Sequence, residues 1–233
     1  MLHALAADFI GLIFPRLCLA CREPLVRGEQ HLCTGCRAEL PYTDFHLLPP
    51  GQNPLGRRFW GKLPIRHALS YLRFVRHGRV QHILHELKYQ GQRDVGTALG
   101  RLYGAELHAA GLAADFDLVV PVPLHPRKLA KRGYNQAAAF ATGLAAGLKV
   151  PAHNTALRRT TNTQTQTQKN RAQRWENVAT VFEVETPMAI VGRRILVVDD
   201  VLTTGATLEA CGTALLAAGA AEVSIATIAC ADR

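Results

Sequence analysis

Thirteen consecutive residues, Ile195-Leu-Val-Val-Asp-Asp-Val-Leu-Thr-Thr-Gly-Ala-Thr207, restrict this chain more than any other stretch. Ile195 to Val198 is an unbroken apolar, β-branched-rich run, the pattern of a strand buried on both faces of a parallel sheet. Asp199 and Asp200 follow at its C-terminal end, where open α/β sheets place their ligands. A short loop comes next, Val201, Leu202, Thr203, Thr204, Gly205, Ala206 and Thr207, with three hydroxyls and one glycine. Beyond it Leu208, Cys211, Ala214, Leu215 and Ala218 recur at helical spacing, and Gly219 supplies a stop. Backbone N–H groups at a helix N-terminus suit a phosphate. Two carboxylates just upstream repel phosphate but accept hydrogen bonds from vicinal sugar hydroxyls and attract Mg²⁺. An ordinary strand–turn–helix has no packing use for two acids and three hydroxyls in so short a turn. The segment is therefore suited to a phosphorylated sugar.

All thirteen positions resemble the signature of the type I phosphoribosyltransferases, whose ligand is phosphoribosyl pyrophosphate (PRPP). The resemblance implies that Asp199 and Asp200 are the catalytic pair and contact the ribose hydroxyls. It also implies that Val201 to Thr207 cradle the 5′-phosphate, with Mg²⁺ as a cofactor.

Four of the six cysteines form a tight set, Cys18-x2-Cys21 and Cys33-x2-Cys36, separated by eleven residues. Each pair delivers two sulfurs from one turn, and two such pairs are the pattern of a structural Zn²⁺ site. The rival reading is two disulfides in a secreted domain. The N-terminal stretch carries apolar Leu2, Leu5, Phe9, Ile10 and Ile13 with Asp8 and no basic leader, and reads as an amphipathic helix over 1–14 rather than a signal peptide. No run of about eighteen apolar residues occurs, so no membrane insertion is expected. Cys211 and Cys230 fall in apolar patterns and read as core residues.

The 233 residues suffice for one α/β domain plus a small appendage. With 48% hydrophobic and 19% charged residues the chain is globular rather than disordered. Its net charge of +9 suits anionic partners without choosing among PRPP, pyrophosphate and nucleic acid. The organisation read from the pattern is a helix and four-cysteine module over 1–42, a Pro-, Gly- and Arg-rich linker over 43–66, and an α/β domain over 67–233. Strands are expected at 68–74, 117–122, 155–158, 178–184, 195–198 and 223–229. Helices are expected at 80–89, 94–110, 136–148 and after 207. Strands alternating with helices give a parallel sheet flanked by helices.

A diphosphate needs a second cradle. The basic loop after the strand at 117–122, with Arg127, Lys128, Lys131 and Arg132, is at the right sheet edge, although a solvated basic turn is the blander reading. The polar stretch 159–176 contains a Thr/Gln run and then Lys169, Arg171 and Arg174. It reads as a long loop able to close over the site and to neutralise departing pyrophosphate, or as a surface loop with incidental charge.

Taken in order, the N-terminal helix, the paired CxxC module, Leu87-Lys-Tyr-Gln-Gly91, Val120-Pro-Val-Pro123, Arg132-Gly-Tyr-Asn-Gln136, Gln166, Arg174, Asn177-Val178, Phe182 and the acidic motif resemble the ComF family of competence-associated, phosphoribosyltransferase-like proteins. That resemblance implies a cytoplasmic protein, partners in a DNA-uptake machinery, and an acceptor beyond PRPP that is undefined. Lys169 and Gln173 depart from the family's pattern in the polar loop. Two functions compete. One is an enzyme transferring phosphoribose from PRPP to an acceptor. The other is a non-catalytic module binding single-stranded DNA on the same scaffold, using Arg57-Arg58-Phe59-Trp60, Arg73-Phe74 and Arg174-Trp175 to stack bases. In each of those pairs an arginine snorkelling beside a buried ring is the alternative.

Overall fold

The computed structural model describes residues 15–89, 91–160 and 181–231. The expected helix at 1–14 and most of the polar loop, with Lys169, Arg171 and Arg174, lie outside the described residues. The elements run α1 (Thr34–Glu39), β1 (Ala68–Phe74), α2 (Arg79–Tyr89), α3 (Arg93–Ala109), β2 (Leu118–Pro121), α4 (Pro126–Arg132), α5 (Gln136–Leu148), β3 (Leu157–Arg159), β4 (Phe182–Val184), β5 (Arg194–Leu202), α6 (Ala206–Ala217) and β6 (Glu222–Ala231).

Strands β1, β6, β5 and β2 form one sheet in that order, all parallel. Side-chain alternation divides the strand residues between two cores. Val119, Leu196, Val198, Ala226 and Ile228 face the core made with α2, α3, α5 and the cysteine module. Val120, Ile195, Val197, Val223 and Ile225 face the core made with α6 and the segment before β1. Both faces are covered, which is why these strands read as continuous apolar runs.

Three stretches depart from the sequence expectation. Residues 43–66 carry short 3₁₀ turns at Phe45–Leu47, Pro50–Gln52 and Gly56–Phe59. They bury Phe45, Leu55, Phe59 and Leu63 under the second face of the sheet, so this segment is a packed wall. Where strands are expected at 155–158 and 178–184, the described residues form β3 and β4, which stay out of the parallel sheet and pair with each other, antiparallel, from Leu157↔Val184 to Arg159↔Phe182. The basic loop is partly helical, because Pro126 starts α4 at its first position and Gly133, with φ of 76°, stops it.

Helices α3 and α5 meet backbone to backbone along Gly100 and Gly104 on one side and Gly143 and Gly147 on the other. A Cβ at Gly143 would overlap the Thr97 carbonyl, and one at Gly100 the Phe140 carbonyl. At the opposite end of the sheet from the motif's loop, Arg194 holds Asp117 through Nε at 3.0 Å and Nη2 at 2.7 Å, joining the first residues of β5 to the approach to β2. The guanidinium lowers the Asp117 carboxyl to about 2.

Two predictions follow from this packing. Alanine in place of glycine inside a helix gains up to about 1 kcal/mol of propensity, but at Gly143 the overlap is with backbone, which cannot step aside. Gly143→Ala is expected to destabilise by about 2 kcal/mol net in urea unfolding. Gly35→Ala on α1, where a Cβ meets nothing within 4 Å, is expected to be neutral or better. Asp117 has a folded pKa below its unfolded one, so its pairing stabilises the fold above about pH 4 and is lost as pH falls from there toward 2. The melting-temperature gap between parent and Asp117→Asn is therefore expected to be open at pH 5 and to close by pH 2.

Candidate functional site

Strand β5 is longer than its apolar run. β6 keeps pairing with it through Asp199↔Thr227, Val201↔Ala229 and Leu202↔Cys230. Asp199, Asp200, Val201 and Leu202 are therefore the last residues of the strand rather than part of a loop beyond it, and Asp199 and Asp200 are half-buried. On the other side β2 ends at Pro121, opposite Val198. The acidic pair thus stands one residue past the end of its neighbour, over a notch at the carboxyl edge of the sheet.

Consecutive strand residues face opposite ways. Asp200 reaches α2, where Lys88 Nζ is 3.1 Å from its Oδ2. Asp199 feels the field of Arg159, and its charge adds to the burial that pushes the Cys211 thiol up; both partners lie on the other face. Burial and the neighbouring Asp200 charge push the Asp199 carboxyl up to about 7, against the Asp200 N–H, which donates to its Oδ1 at 2.8 Å, and the more distant Lys88 and Arg159. The two acids are therefore electrostatically unlike.

Thr203 and Thr204 are exposed, and Thr204 Oγ1 accepts from Ala206 N at 3.3 Å, in the first turn of α6. Gly205 adopts φ of +88° as the residue before α6. A Cβ there would lie 3.1 Å from the Phe59 ring. Arg58 donates to the Thr203 carbonyl at 3.2 Å and to the Ala231 carbonyl at 2.6 Å, fastening the loop to the end of β6. The segment expected to be a linker thus supplies both the floor and the clamp of the loop. Its Arg-Arg-Phe-Trp run is divided in role: Phe59 is buried, while Trp60 is exposed with Arg57 5.9 Å from its ring. Arg73 lies over Phe45, 4.9 Å from its centroid. Arg174 and Trp175 are outside the described residues.

Basic helix α4 leaves β2 at the same sheet edge. Arg127, Lys128 and Lys131 are exposed to solvent. Arg132 is half-buried, with Nη1 2.9 Å from Gln136 Oε1 and its guanidinium 5.9 Å from the Tyr89 centroid. Asn135 ties the turn down, donating to Val122 O at 2.9 Å and accepting from Ala137 N at 3.1 Å. The sequence assigns no role to Lys88 or Tyr89, and it places Arg58 only in a base-stacking run, not as a clamp on the loop. The Lys-Tyr end of an amphipathic helix and an Arg-Arg pair in an irregular segment carry no local sign of what they will touch.

In the N-terminal module the sulfurs of Cys18, Cys21, Cys33 and Cys36 all lie within 4.8 Å of one another. Zn–S bonds of 2.3 Å imply sulfur–sulfur edges of about 3.8 Å, and Cys21 Sγ stands 3.8 Å from Cys33 Sγ. Disulfide sulfurs would be about 2 Å apart, and all four cysteines are free. Backbone N–H groups point at the sulfurs as thiolate coordination requires: Cys33 N to Cys18 Sγ at 3.4 Å and Cys36 N to Cys33 Sγ at 3.3 Å. The residues fit a tetrahedral, structural zinc. The module docks on α2 through Arg22–Glu86 at 2.6 Å and His82 Nδ1 to Ala20 O at 3.1 Å.

Two domain families match two separate parts of the chain, and whole proteins match along most of it. The double zinc ribbon domain family matches residues 9–46 and the phosphoribosyl transferase domain family residues 133–233. DNA utilization protein YhgH of Escherichia coli (strain K12) is 31% identical over 230 residues, covering 92% of this chain and 96% of that protein. Competence protein F of Haemophilus influenzae is 27% identical over 227 residues, covering 89% and 94%. Competence protein ComFC of Bacillus subtilis is 26% identical over 217 residues, covering 88% and 86%. Lys88 and α4 lie outside both domain matches. No helix among the described residues is long and apolar enough to cross a membrane.

The module contributes Cys18, Leu19, Ala20, Leu32, Cys36 and Leu40 to the core that it shares with α2 and α3. Stripping the metal with a chelator is therefore expected to lower the melting temperature of the whole chain by about 5 °C or more. Elemental analysis of the untreated protein is expected to find one zinc per chain, and re-addition of zinc to restore the transition.

Proposed function

The chain belongs to the ComF family, and on that premise we propose that it binds PRPP with Mg²⁺ and transfers the phosphoribosyl group to an acceptor in a DNA-uptake context. One observation carries this reading. β5 delivers Asp199 and Asp200 to the carboxyl edge of the sheet, directly before the first turn of α6 and beside the strand from which basic α4 departs. In this reading Val201 to Thr207 hold the 5′-phosphate through backbone N–H groups and threonine hydroxyls. The carboxylates accept from the ribose hydroxyls, and Arg127, Lys128 and Arg132 face the diphosphate. Asp199 and Asp200 would hold Mg²⁺, which would supply charge neutralisation at the diphosphate.

The reaction breaks the bond from C1 of the ribose to the diphosphate and forms a bond from C1 to the acceptor's nucleophilic atom. The electron pair of the broken bond leaves with pyrophosphate. The chain's own part is to position both partners and to stabilise charge as the sugar becomes cationic. A cleft of about 1140 Å³ opens beside Asp200, with His77, His85, Lys88 and Tyr89 among its walls. It is the acceptor's route to C1. The relatives named for DNA utilization and competence support the DNA-uptake setting.

A second reading, single-stranded DNA binding, is favoured by two exposed rings with cations over them: Trp60 with Arg57 and Tyr89 with Arg132. Calorimetric titration separates the two. Asp199→Asn and Asp200→Asn are each expected to weaken PRPP binding by about 1–3 kcal/mol. Their affinity for single-stranded DNA is expected to hold or rise, since removing negative charge favours a phosphate backbone. Variants that keep full PRPP affinity and lose DNA binding would sink the ribose site and the enzyme with it.

A further inference from the structure

We infer that Lys88 is a positioning residue that holds Asp200 for its ligand, and that the last turn of α2 ties the acidic motif to the basic helix. The inference rests on the PRPP reading above. Its material is the segment Leu87-Lys-Tyr-Gln-Gly91, which neither the phosphate loop nor the basic helix accounts for.

The turn is fixed from inside. Val80, Ile83, Leu84 and Leu87 bury one face of α2, with Leu87 at 0% exposure, so the helix cannot rotate without opening the core. Gly91, with φ of +66°, lets the chain leave. Three successive side chains or carbonyls then reach three different parts of the site. The Leu87 carbonyl, one of the helix-end acceptors left without an internal partner, receives the Tyr134 hydroxyl. Lys88 pairs with Asp200 on β5 at 3.1 Å. The Tyr89 ring lies under the Arg132 guanidinium, 5.9 Å from it, at the end of α4.

The lysine's own geometry argues against mere packing. A lysine present for its stem would extend its ammonium to water. Here the head lies against a carboxylate, with side-chain exposures of only 25% and 18%. Among the described residues Asp200 is the one acid lining the adjoining cleft, where Arg76, His77, His85 and Tyr89 are the other cationic or titratable walls besides Lys88. Lys88 contacts Oδ2, and a carboxylate has further lone pairs. Oδ1 can accept a ribose hydroxyl while Oδ2 stays anchored. The ammonium also offsets the Asp200 charge that a polyphosphate must approach.

PRPP titrations of the full chain test this, with Lys88→Met, Lys88→Arg, Asp200→Asn and the double variant Lys88→Met/Asp200→Asn. Lys88→Met is expected to weaken PRPP binding roughly tenfold, and Lys88→Arg to recover most of the loss. In the Asp200→Asn background the same change should cost less than about twofold, because its route of action is gone. Inorganic phosphate, probing the 5′-phosphate loop alone, should bind Lys88→Met as it binds the parent. Should Lys88→Met fold poorly, Lys88→Gln carries the same expectations. Parent-like PRPP affinity in these variants, or an undiminished tenfold loss without Asp200, overturns the inference while leaving the PRPP reading standing. A parent that binds no PRPP at all overturns both.

Discussion

β5 has a partner on one side for longer than on the other, and the site depends on that inequality. β6 pairs with it from Arg194↔Glu222 to Leu202↔Cys230, while β2 stops at Pro121↔Val198. Prolines at 121 and 123 lack the N–H that a longer ladder would need, which suits a strand that stops here. The result is a strand end held straight by one neighbour and uncovered by the other. Held as strand, Asp199 and Asp200 diverge to opposite faces, and each meets different chemistry. Asp200 has an ammonium at 3.1 Å. Asp199 has burial and a like charge, and its carboxyl rises to about 7. Two acids that look equivalent in the sequence are made unequal by the alternation of a pleated chain.

The geometry of the loop after β5 is set from beneath. Gly205 needs a left-handed backbone and sits 3.1 Å, measured from the position of a missing Cβ, above the Phe59 ring. Arg58 joins the Thr203 and Ala231 carbonyls, so the loop after β5 and the end of β6 move together. Both groups come from the irregular segment before β1. A buried aromatic and a bridging guanidinium give that segment the firmness that periodic structure gives elsewhere.

Much of this was legible because certain features are local. The apolar run before two acids marks a buried strand, and the paired CxxC motifs mark a converging set of sulfurs; both are read within a few residues. Other features are settled by distant partners. β5 extends through Leu202 only because β6 runs alongside. Leu55, Phe59 and Leu63 recur at every fourth residue, but Pro54, Gly56, Gly61 and Pro64 break the run, so the segment reads as linker although these side chains and Phe45 are buried. β3 and β4 have three residues each, too few to show a period, and they pair with each other, leaving the sheet at four parallel strands among the described residues. α4 does carry its signals, Pro126 at the start and Gly133 at the stop, but four cations in between read more readily as a solvated turn.

Helix α2 joins the two halves of the molecule that the sequence presents as separate. On one side Glu86, almost fully buried, takes Arg22 of the cysteine module at 2.6 Å, and His82 meets the Ala20 carbonyl. Two residues on from Glu86, about 200° around the helix, Lys88 meets Asp200. The same eleven-residue helix is thus braced by the metal-binding module and carries a contact to the acidic motif. A small module with little core of its own needs a metal to hold its shape. Held so, it closes the outer side of α2 and shares a core with it, and the position of Lys88 follows from that packing. The structural zinc therefore has a place in the geometry of the site without touching it.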